Sequence, residues 1–246
     1  RWLRRAHGNK SEAPWGLHSP AVCRVIVPVS NNEKDLPVID LWTWTTPNGR
    51  KVSILLEELG LPYKVNAVDI TNGDQYQPEF LRVSPNNKIP AIVDHDTGMA
   101  LMESGAIMIY LAEKTGRLLP EDAEGRYRVM EWLMWQMGGP GPMLGQLHHF
   151  HHFNPGKAPY AEERFGKEAQ RLYGVLEKRL AGRDYVVDDY SIADIAIWPW
   201  ISRFEWQGMD LNAFPNVKRW YTAIAARPAV QRGYDVPGRQ ADIPMP

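Results

Sequence analysis

The residues best suited to chemistry lie in the run 45–49 (TTPNG), between a strand-like and a helix-like segment. Their side chains offer hydroxyl groups and an amide, but neither a base nor a thiol. Thr46 is a good N-cap, and Pro47 suits the first helical position because its missing N–H would have no partner there. The remaining free N–H groups and the positive end of the helix dipole predict an anion-binding site beside Thr46 and Asn48.

A second polar group is predicted to lie near the first. Ser104 follows a strand-like segment and is predicted to be the N-cap of another helix. Pro90 interrupts a strand-like run, and because proline cannot donate to a sheet ladder we predict a strand that starts there. The Ile89–Pro90 bond is a candidate cis peptide. A cis bond would turn the N–H and C=O of Ile89 outward, free to pair with an extended peptide.

The histidine and cysteine residues decide what the sequence predicts about metal binding and sulfur chemistry. His148, His149, His151 and His152 have spacings that can supply metal ligands, but no cysteine is near, so we predict a surface or pocket-rim cluster and no metal. The chain has one cysteine, Cys23, which precedes the first recognisable strand. A disulfide within the chain and a Cys-x-x-Cys centre are therefore impossible. Any sulfur chemistry would use a sulfur that arrives with a ligand.

The elements that position these groups follow from the hydrophobic periodicity of residues 38–116. Alternation predicts strands over residues 38–44 and 63–70, and helical spacing predicts a helix from Pro47 to a stop at Gly60. A short helix over 78–83, two more strands and the helix after Ser104 complete the order βαβα–ββα. With a right-handed first crossover, this order predicts a thioredoxin-like α/β sheet.

The second half shows only helical patterns. Glycines and prolines at 138–142 must interrupt one helix. Residues 160–180 form a long amphipathic helix, Ser191 and Asp194 form a capping-box variant ahead of an apolar helix, and residues 216–226 form the last helix. The predicted organisation is an extension (1–37), a thioredoxin-like domain (38–116), a linker (117–123), an all-helical bundle domain (124–235) and a tail (236–246).

Composition limits the classes of partner. The 246 residues are 44% hydrophobic and carry a net charge of −1, which gives no reason to expect nucleic acid or an anionic membrane. No apolar run approaches the ~20 residues that span a bilayer. The single cysteine favours a reducing compartment, and we predict a cytoplasmic protein.

Three segments carry a resemblance to the glutathione transferase superfamily, and it covers about residues 38–235. They are 84–92 (SPNNKIPAI), 103–107 (ESGAI) and 190–196 (YSIADIA). Three further segments resemble the bacterial Nu class and the related fungal nitrogen regulators: 46–51 (TPNGRK), 139–146 (GPGPMLGQ) and 160–164 (YAEER). The resemblance implies a homodimer that binds reduced or oxidised glutathione between its domains.

The resemblance also implies roles for individual residues. Thr46 and Asn48 would hydrogen-bond the glutathione sulfur and favour its thiolate, the nucleophile. Glutathione would be bound by the backbone of Ile89, held by Pro90, and by Glu103 and Ser104 at its γ-glutamyl end. Gln75, Lys88 and Arg164 would provide further contacts to the tripeptide. For each residue the alternative is structural: a helix cap, a turn, a strand start or a solvated charge.

The implied activity is reduction of small disulfides by glutathione. Three alternatives remain at this stage. The same thiolate could be conjugated to an electrophile such as an aryl halide or epoxide. The protein could be a regulatory glutathione binder with little turnover. The histidine cluster could make the chain a metal-binding module.

Overall fold

The computed structural model describes residues 38–239 and 241–246. The predicted extension, with Cys23, lies outside these residues. The sheet-forming elements come first and helices follow, so the prediction of a thioredoxin-like domain followed by an all-helical bundle is confirmed. None of the helices in these two ranges has the length and apolar character that crossing a bilayer requires.

Four strands form one mixed sheet in the order β2-β1-β3-β4. β1 (Ile39–Thr43) pairs in parallel with β2 (Tyr63–Ala67), whereas β3 (Ala91–Asp94) is antiparallel both to β1 and to β4 (Met99–Met102). A short helix, α2 (Pro78–Val83), precedes β3, as predicted. Every second residue of β1 is fully buried, which confirms the alternation in its sequence.

The helix α1 (Pro47–Leu59) connects β1 to β2. Thr46 is its N-cap, Pro47 occupies its first turn, and Gly60 ends it with a left-handed φ of 70°. These features confirm the predicted helix and its two ends. The close approach of strand and helix depends on Gly49, where an added Cβ would lie 2.2 Å from the carbonyl oxygen of Trp44.

The strand β2 is three residues shorter than predicted. The N–H of Val68 still donates to the carbonyl of Thr43, at 2.9 Å. The carboxylate of Asp69 then accepts from the N–H and the hydroxyl of Thr71, at 2.9 and 2.6 Å. An aspartate that bonds the backbone two residues further along stabilises a turn, so the chain leaves the sheet at this point.

The prediction that Ser104 caps its helix is wrong. α3 (Ser104–Thr115) has Glu103 at its N-cap position, with a φ of 72°, and no side chain bonds the helix N–H groups there. The hydroxyl of Ser104 accepts from Nζ of Lys51 at 3.3 Å instead. The first N–H groups of α3 therefore keep no side-chain cap.

The described chain beyond residue 122 consists of helices and irregular segments. The helices are α4 (Ala123–Gly138), α5 (Pro140–Leu147), α6 (Pro159–Arg179), α7 (Ile192–Ile201), α8 (Pro215–Ala225) and α9 (Pro228–Tyr234). The predicted break between α4 and α5 is confirmed, as is the capping box of Ser191 and Asp194 ahead of α7. Every residue of α7 is buried, as its uniformly apolar sequence predicts.

The short helix α9 was not predicted, and it joins the two halves of the molecule. The backbone of Ile54 in α1 approaches so closely that a Cβ on Gly233 would lie 2.5 Å from the Ile54 Cα. The hydroxyl of Ser53 donates to the Gly233 carbonyl at 2.7 Å, and Nε of Arg50 donates to the Tyr234 carbonyl at 3.2 Å. These contacts hold α1, and thus its N terminus, against the helical half of the molecule, which comprises α4 to α9.

Candidate functional site

The hydroxyl of Thr46 lies at the N terminus of α1. Its Oγ1 accepts from the N–H of Gly49 at 3.1 Å, while its own backbone N–H donates to the carbonyl of Trp44 at 2.7 Å. The backbone N–H is therefore occupied, whereas the hydroxyl proton remains available to a ligand. The structure therefore favours the hydroxyl over the backbone N–H as the group that Thr46 can offer to a ligand.

A polar cavity of about 160 Å³ lies beside the N terminus of α1, which forms the mouth of that helix. Six of the nine predicted site residues line it: Asn48, Lys88, Ile89, Pro90, Glu103 and Ser104. Ser84, Asn86, Met102 and Met137 complete the lining. The structure thus brings the mouth of α1, the turn before β3 and the start of α3 together with Met137 of the helical half.

The turn before β3 has the predicted backbone. The Ile89–Pro90 bond is cis. The hydroxyl of Ser84 donates to the carbonyl of Lys88 at 2.8 Å and holds the turn from within. Pro90 is buried and Ile89 is half-buried at the cavity wall.

Glu103 has an unusual backbone at the opposite wall. A φ of 72° is rare for a residue with a side chain and costs of the order of 1–2 kcal/mol. Such backbone strain occurs preferentially at functional sites. The Glu103 side chain is exposed beside the buried Ser104 and the uncapped N terminus of α3. This corner therefore offers a carboxylate and free N–H donors to one ligand.

Behind Ser104 lies Lys51, which the sequence reasoning did not identify as a site residue. The buried Nζ of Lys51 reaches Ser104 Oγ at 3.3 Å, Gln136 Oε1 at 2.5 Å and Met137 Sδ at 3.4 Å. Burial lowers the pKa of Lys51 to about 7, and the negative charge of Glu103 opposes this lowering. Its position four residues before the inward-facing Leu55 is a sequence signal that it faces the interior.

Asn48 is held from the helical half. Its Oδ1 accepts from Nε1 of Trp200, at 3.1 Å. Trp200 belongs to the uniformly apolar helix α7 and is only 7% exposed, and its contact with Asn48 was not predicted from the sequence. No local pattern indicates it, because the two residues are 152 positions apart.

Arg203 adds positive charge near the helix mouth. Its Nη2 donates to the carbonyl of Thr45 at 3.3 Å, and its guanidinium lies 4.3 Å from the ring centre of Trp206. Burial lowers the pKa of Arg203, but a guanidinium stays charged at neutral pH. Together with the dipole of α1, Arg203 makes this region favourable for an anion.

Three of the predicted site residues do not line the cavity: Thr46, which lies at the adjoining N terminus of α1, and two residues that lie away from it. Gln75 is half-buried in the 3₁₀ turn Asp74–Tyr76. Arg164 is exposed and lines a separate cleft of about 600 Å³ on the helical half, with Tyr160 and Phe165 among its neighbours. The structure does not bring either residue to the cavity wall.

The histidine cluster divides into one buried and three exposed residues. His148 to Phe153 form a π-helical segment in which only His148 is buried. Burial, together with the nearby Arg203 and His152, lowers the pKa of His148 to about 4. Within residues 38–239 and 241–246, no group of three or more His, Cys, Asp or Glu side chains is arranged to hold a metal ion.

The fold and the cavity define a class of protein: a thioredoxin-like sheet with an appended helical bundle, and a polar helix mouth that offers hydroxyl and amide donors. Comparisons with known proteins give the family. Residues 37–113 match the model of the glutathione S-transferase N-terminal domain, and residues 141–228 match that of the C-terminal domain. The chain belongs to the glutathione S-transferase family.

Three individual proteins are similar to this chain over most of its length. The chain is 52% identical, over 78% of its length and 92% of the relative, to the disulfide-bond oxidoreductase YfcG of Escherichia coli K12. It resembles a Pseudomonas putida glutathione transferase with one glutathione disulfide bound per subunit (TM-score 0.78, 44% identity, covering 83% of this chain and 94% of that one). It also resembles a Burkholderia graminis glutathione transferase with two glutathione molecules per subunit (TM-score 0.76, 49% identity, covering 82% and 89%).

Proposed function

We propose that this protein reduces small disulfides with glutathione, and that glutathione supplies the attacking thiolate. The observation that carries the proposal is the mouth of α1, where Thr46 has an available hydroxyl proton and Asn48 lines the cavity with its amide. None of the residues that the structure describes is a cysteine. Hydrogen bonds to a charged acceptor are worth about 1.5–3 kcal/mol each. Two such donors and the helix dipole would therefore lower the pKa of a bound thiol by one or more units.

The tripeptide is oriented by the other walls of the cavity. Ile89 offers its main chain to the cysteinyl unit, beside the cis bond to Pro90. Glu103 pairs with the γ-glutamyl ammonium, while Ser104 and the uncapped N–H groups of α3 receive its carboxylate. Lys88, on the same cavity, contacts the tripeptide. Gln75 and Arg164 enter the proposal only through the family resemblance.

The chemistry is thiol–disulfide exchange in two displacements. The glutathione thiolate attacks one sulfur of the disulfide; that S–S bond breaks, a mixed disulfide forms, and the first thiol leaves with a proton. A second glutathione thiolate then attacks the glutathione sulfur of the mixed disulfide. The products are oxidised glutathione and two thiols, so the electrons come from glutathione. The relatives described with one glutathione disulfide or two glutathione molecules per subunit support a pocket of this capacity.

A coupled assay tests the proposal. Hydroxyethyl disulfide is offered with glutathione, and glutathione reductase reports the oxidised glutathione formed. We expect turnover well above the uncatalysed rate, and faster than the conjugation of chlorodinitrobenzene. Turnover no higher than background in a protein that binds glutathione would overturn the reductase assignment. Faster conjugation would favour a conjugating transferase.

We also propose that the protein is a cytoplasmic homodimer of the Nu class, divided into domains at residues 38–116 and 124–235. The cytoplasm keeps glutathione reduced, as the reaction requires. Exposed apolar side chains on α4 and β4, namely Tyr127, Met134 and Met99, support a second copy as partner. Sedimentation equilibrium tests the dimer, and a monomer at micromolar concentration would contradict it.

A further inference from the structure

The Asn48 side chain can present either its oxygen or its NH₂ group to a ligand. The two ends differ only in hydrogen-bonding character, because the oxygen accepts and the nitrogen donates. A thiolate only accepts. The usefulness of Asn48 therefore depends on which end faces the cavity that it lines.

Trp200 determines the orientation of this amide. The indole N–H is a donor and cannot accept, so the group that it meets at 3.1 Å must be Oδ1 of Asn48. The Asn48 NH₂ group is then directed away from Trp200. The contact joins the mouth of α1 to α7 and buries the indole, which leaves little water to compete for the amide oxygen.

Trp200 is itself held by a buried polar network. Its carbonyl accepts from Nε2 of Gln207 at 2.8 Å, and Oε1 of Gln207 accepts from the hydroxyl of Tyr173 at 2.5 Å. The ring of His148 stacks on Trp200 with centroids 5.7 Å apart and 20° between the planes. Gln207, Tyr173 and His148 are each less than 8% exposed. The indole is therefore held on its ring face and through its main chain.

The protonation state of His148 agrees with this network. Nε2 of His148 lies 3.0 Å from Nε2 of Gln207, which donates, so the histidine nitrogen must accept. Only the neutral imidazole has an acceptor nitrogen. Burial, with a smaller contribution from the nearby Arg203 and His152, lowers the pKa of His148 to about 4, so the ring is neutral at pH 7.

We infer that Trp200 is a positioning residue for catalysis: it holds the amide of Asn48 so that the donating NH₂ group faces the sulfur of bound glutathione. The inference rests on the proposed function, since it needs a glutathione thiolate in the cavity. It predicts that the helical half contributes to thiol activation through a residue that does not line the cavity.

The variant Trp200→Phe removes the indole N–H and keeps an aromatic ring against His148. The Asn48 amide can then rotate. We expect the pKa of the bound glutathione thiol to rise by about 0.5–1 unit and kcat at pH 7 to fall by about 3- to 10-fold. KM for glutathione should change less than about 2-fold, because the contacts to the tripeptide backbone remain. The deficit in kcat should shrink as the pH rises.

Trp198→Phe is the matched control. Trp198 lies on the same helix, is fully buried, and donates its Nε1–H to the carbonyl of Tyr221 at 3.1 Å. Its replacement removes an equivalent buried hydrogen bond without touching Asn48. We expect the thiol pKa and its pH profile to stay at the wild-type values in this variant.

Ultraviolet absorbance of the thiolate, titrated on the glutathione-bound dimer, gives the decisive reading. Equal thiol pKa values in wild type, Trp200→Phe and Trp198→Phe would overturn the inference while leaving disulfide reduction intact. Absence of glutathione binding by the wild type would instead overturn the proposed function. If Trp200→Phe does not fold, NMR of the labelled wild type decides: glutathione must shift the Asn48 amide protons, and unshifted protons contradict the inference.

Discussion

The amine of Lys51 lies 3.3 Å from the hydroxyl of Ser104, at the back of the cavity. Lys51 comes from α1 and Ser104 opens α3, and the same amine reaches Gln136 of the helical half. One buried group therefore joins three elements that form the site. An ammonium has three donors, and the structure gives it three acceptors, of which the third is the sulfur of Met137.

Replacing Lys51 with methionine should change how stability depends on pH. Burial lowers the pKa of Lys51 from 10.5 to about 7. Between these values the unfolded chain binds a proton that the folded chain has lost, so the free energy of unfolding rises with pH. The contribution of one proton is at most about 1.4 kcal/mol per pH unit. Lys51→Met should remove this rise.

Urea denaturation at a series of pH values from about 6 to 10 measures the effect. Lys64→Met, which removes an exposed lysine from β2, is the control and should keep the wild-type slope. A Lys51→Met protein whose stability follows the same pH curve as the wild type would contradict a buried amine of low pKa.

Variants of Thr46 should separate its structural role from its chemical one. Thr46→Asp keeps an oxygen that can accept from the N–H of Gly49, but it has no hydroxyl and carries a charge that repels a thiolate. We expect it to retain near wild-type stability and to lose disulfide reduction by about tenfold to a hundredfold, the value of one hydrogen bond to a charged group.

Thr46→Val provides the comparison, because it removes both the cap and the hydroxyl. Its free energy of unfolding should fall by about 1 kcal/mol in addition to the lost activity. Thr46→Ser should preserve both properties. An active Thr46→Asp enzyme would show that the hydroxyl of Thr46 is only a helix cap.

Gly49→Ala tests the close approach of α1 to β1. The added Cβ would lie 2.2 Å from the Trp44 carbonyl oxygen and 2.5 Å from Oγ1 of Thr43. Both neighbours are held in place, so we expect a loss of stability of about 3 kcal/mol or more. Gly174→Ala, within α6, should gain about 0.5–1 kcal/mol, because among the described residues the added Cβ would meet nothing within 4 Å beyond its chain neighbours and its own helix backbone. Thermal denaturation of the two variants measures the contrast, and equal effects would contradict the packing described here.

A variant of Asp194 tests whether this buried acid on α7 has a structural role and no part in the chemistry. Its carboxylate accepts from the N–H groups of Val186 and Ser191, at 3.0 and 3.2 Å, and from the Trp220 indole at 2.9 Å. Asp194→Ala leaves three buried donors without a partner, so stability should fall by about 3 kcal/mol or more. The thiol pKa of bound glutathione should not change, and a clear shift would give Asp194 a part in the chemistry. Denaturation and thiolate titration on one preparation provide both readings.

The sequence predicts those parts of the site that depend on neighbours along the chain. The cap by Thr46 and the box of Ser191 and Asp194 each involve residues within three positions, and local rules describe such contacts well. The cis bond before Pro90 follows from the misfit of proline in a strand.

The contacts that were not predicted join residues that are far apart in the sequence. Lys51 and Ser104 are 53 residues apart, and Asn48 and Trp200 are 152 apart. The predicted cap by Ser104 is wrong because the N-cap position falls one residue earlier, at Glu103, and the Ser104 hydroxyl instead accepts from the distant amine of Lys51. The short helix α9 depends on its packing against α1, which no periodic pattern in seven residues reveals.

The activation of a bound thiol is tested most directly by the pKa of the glutathione thiol in the wild-type protein. Titration of the bound thiolate by its ultraviolet absorbance, with free glutathione as reference, measures it without a second substrate. A free cysteine thiol has a pKa of about 8.5, and we expect the pKa of the bound thiol to be lower by about 1–2 units. A bound thiol that titrates like free glutathione would contradict the claim that this helix mouth activates a sulfur carried in by a ligand.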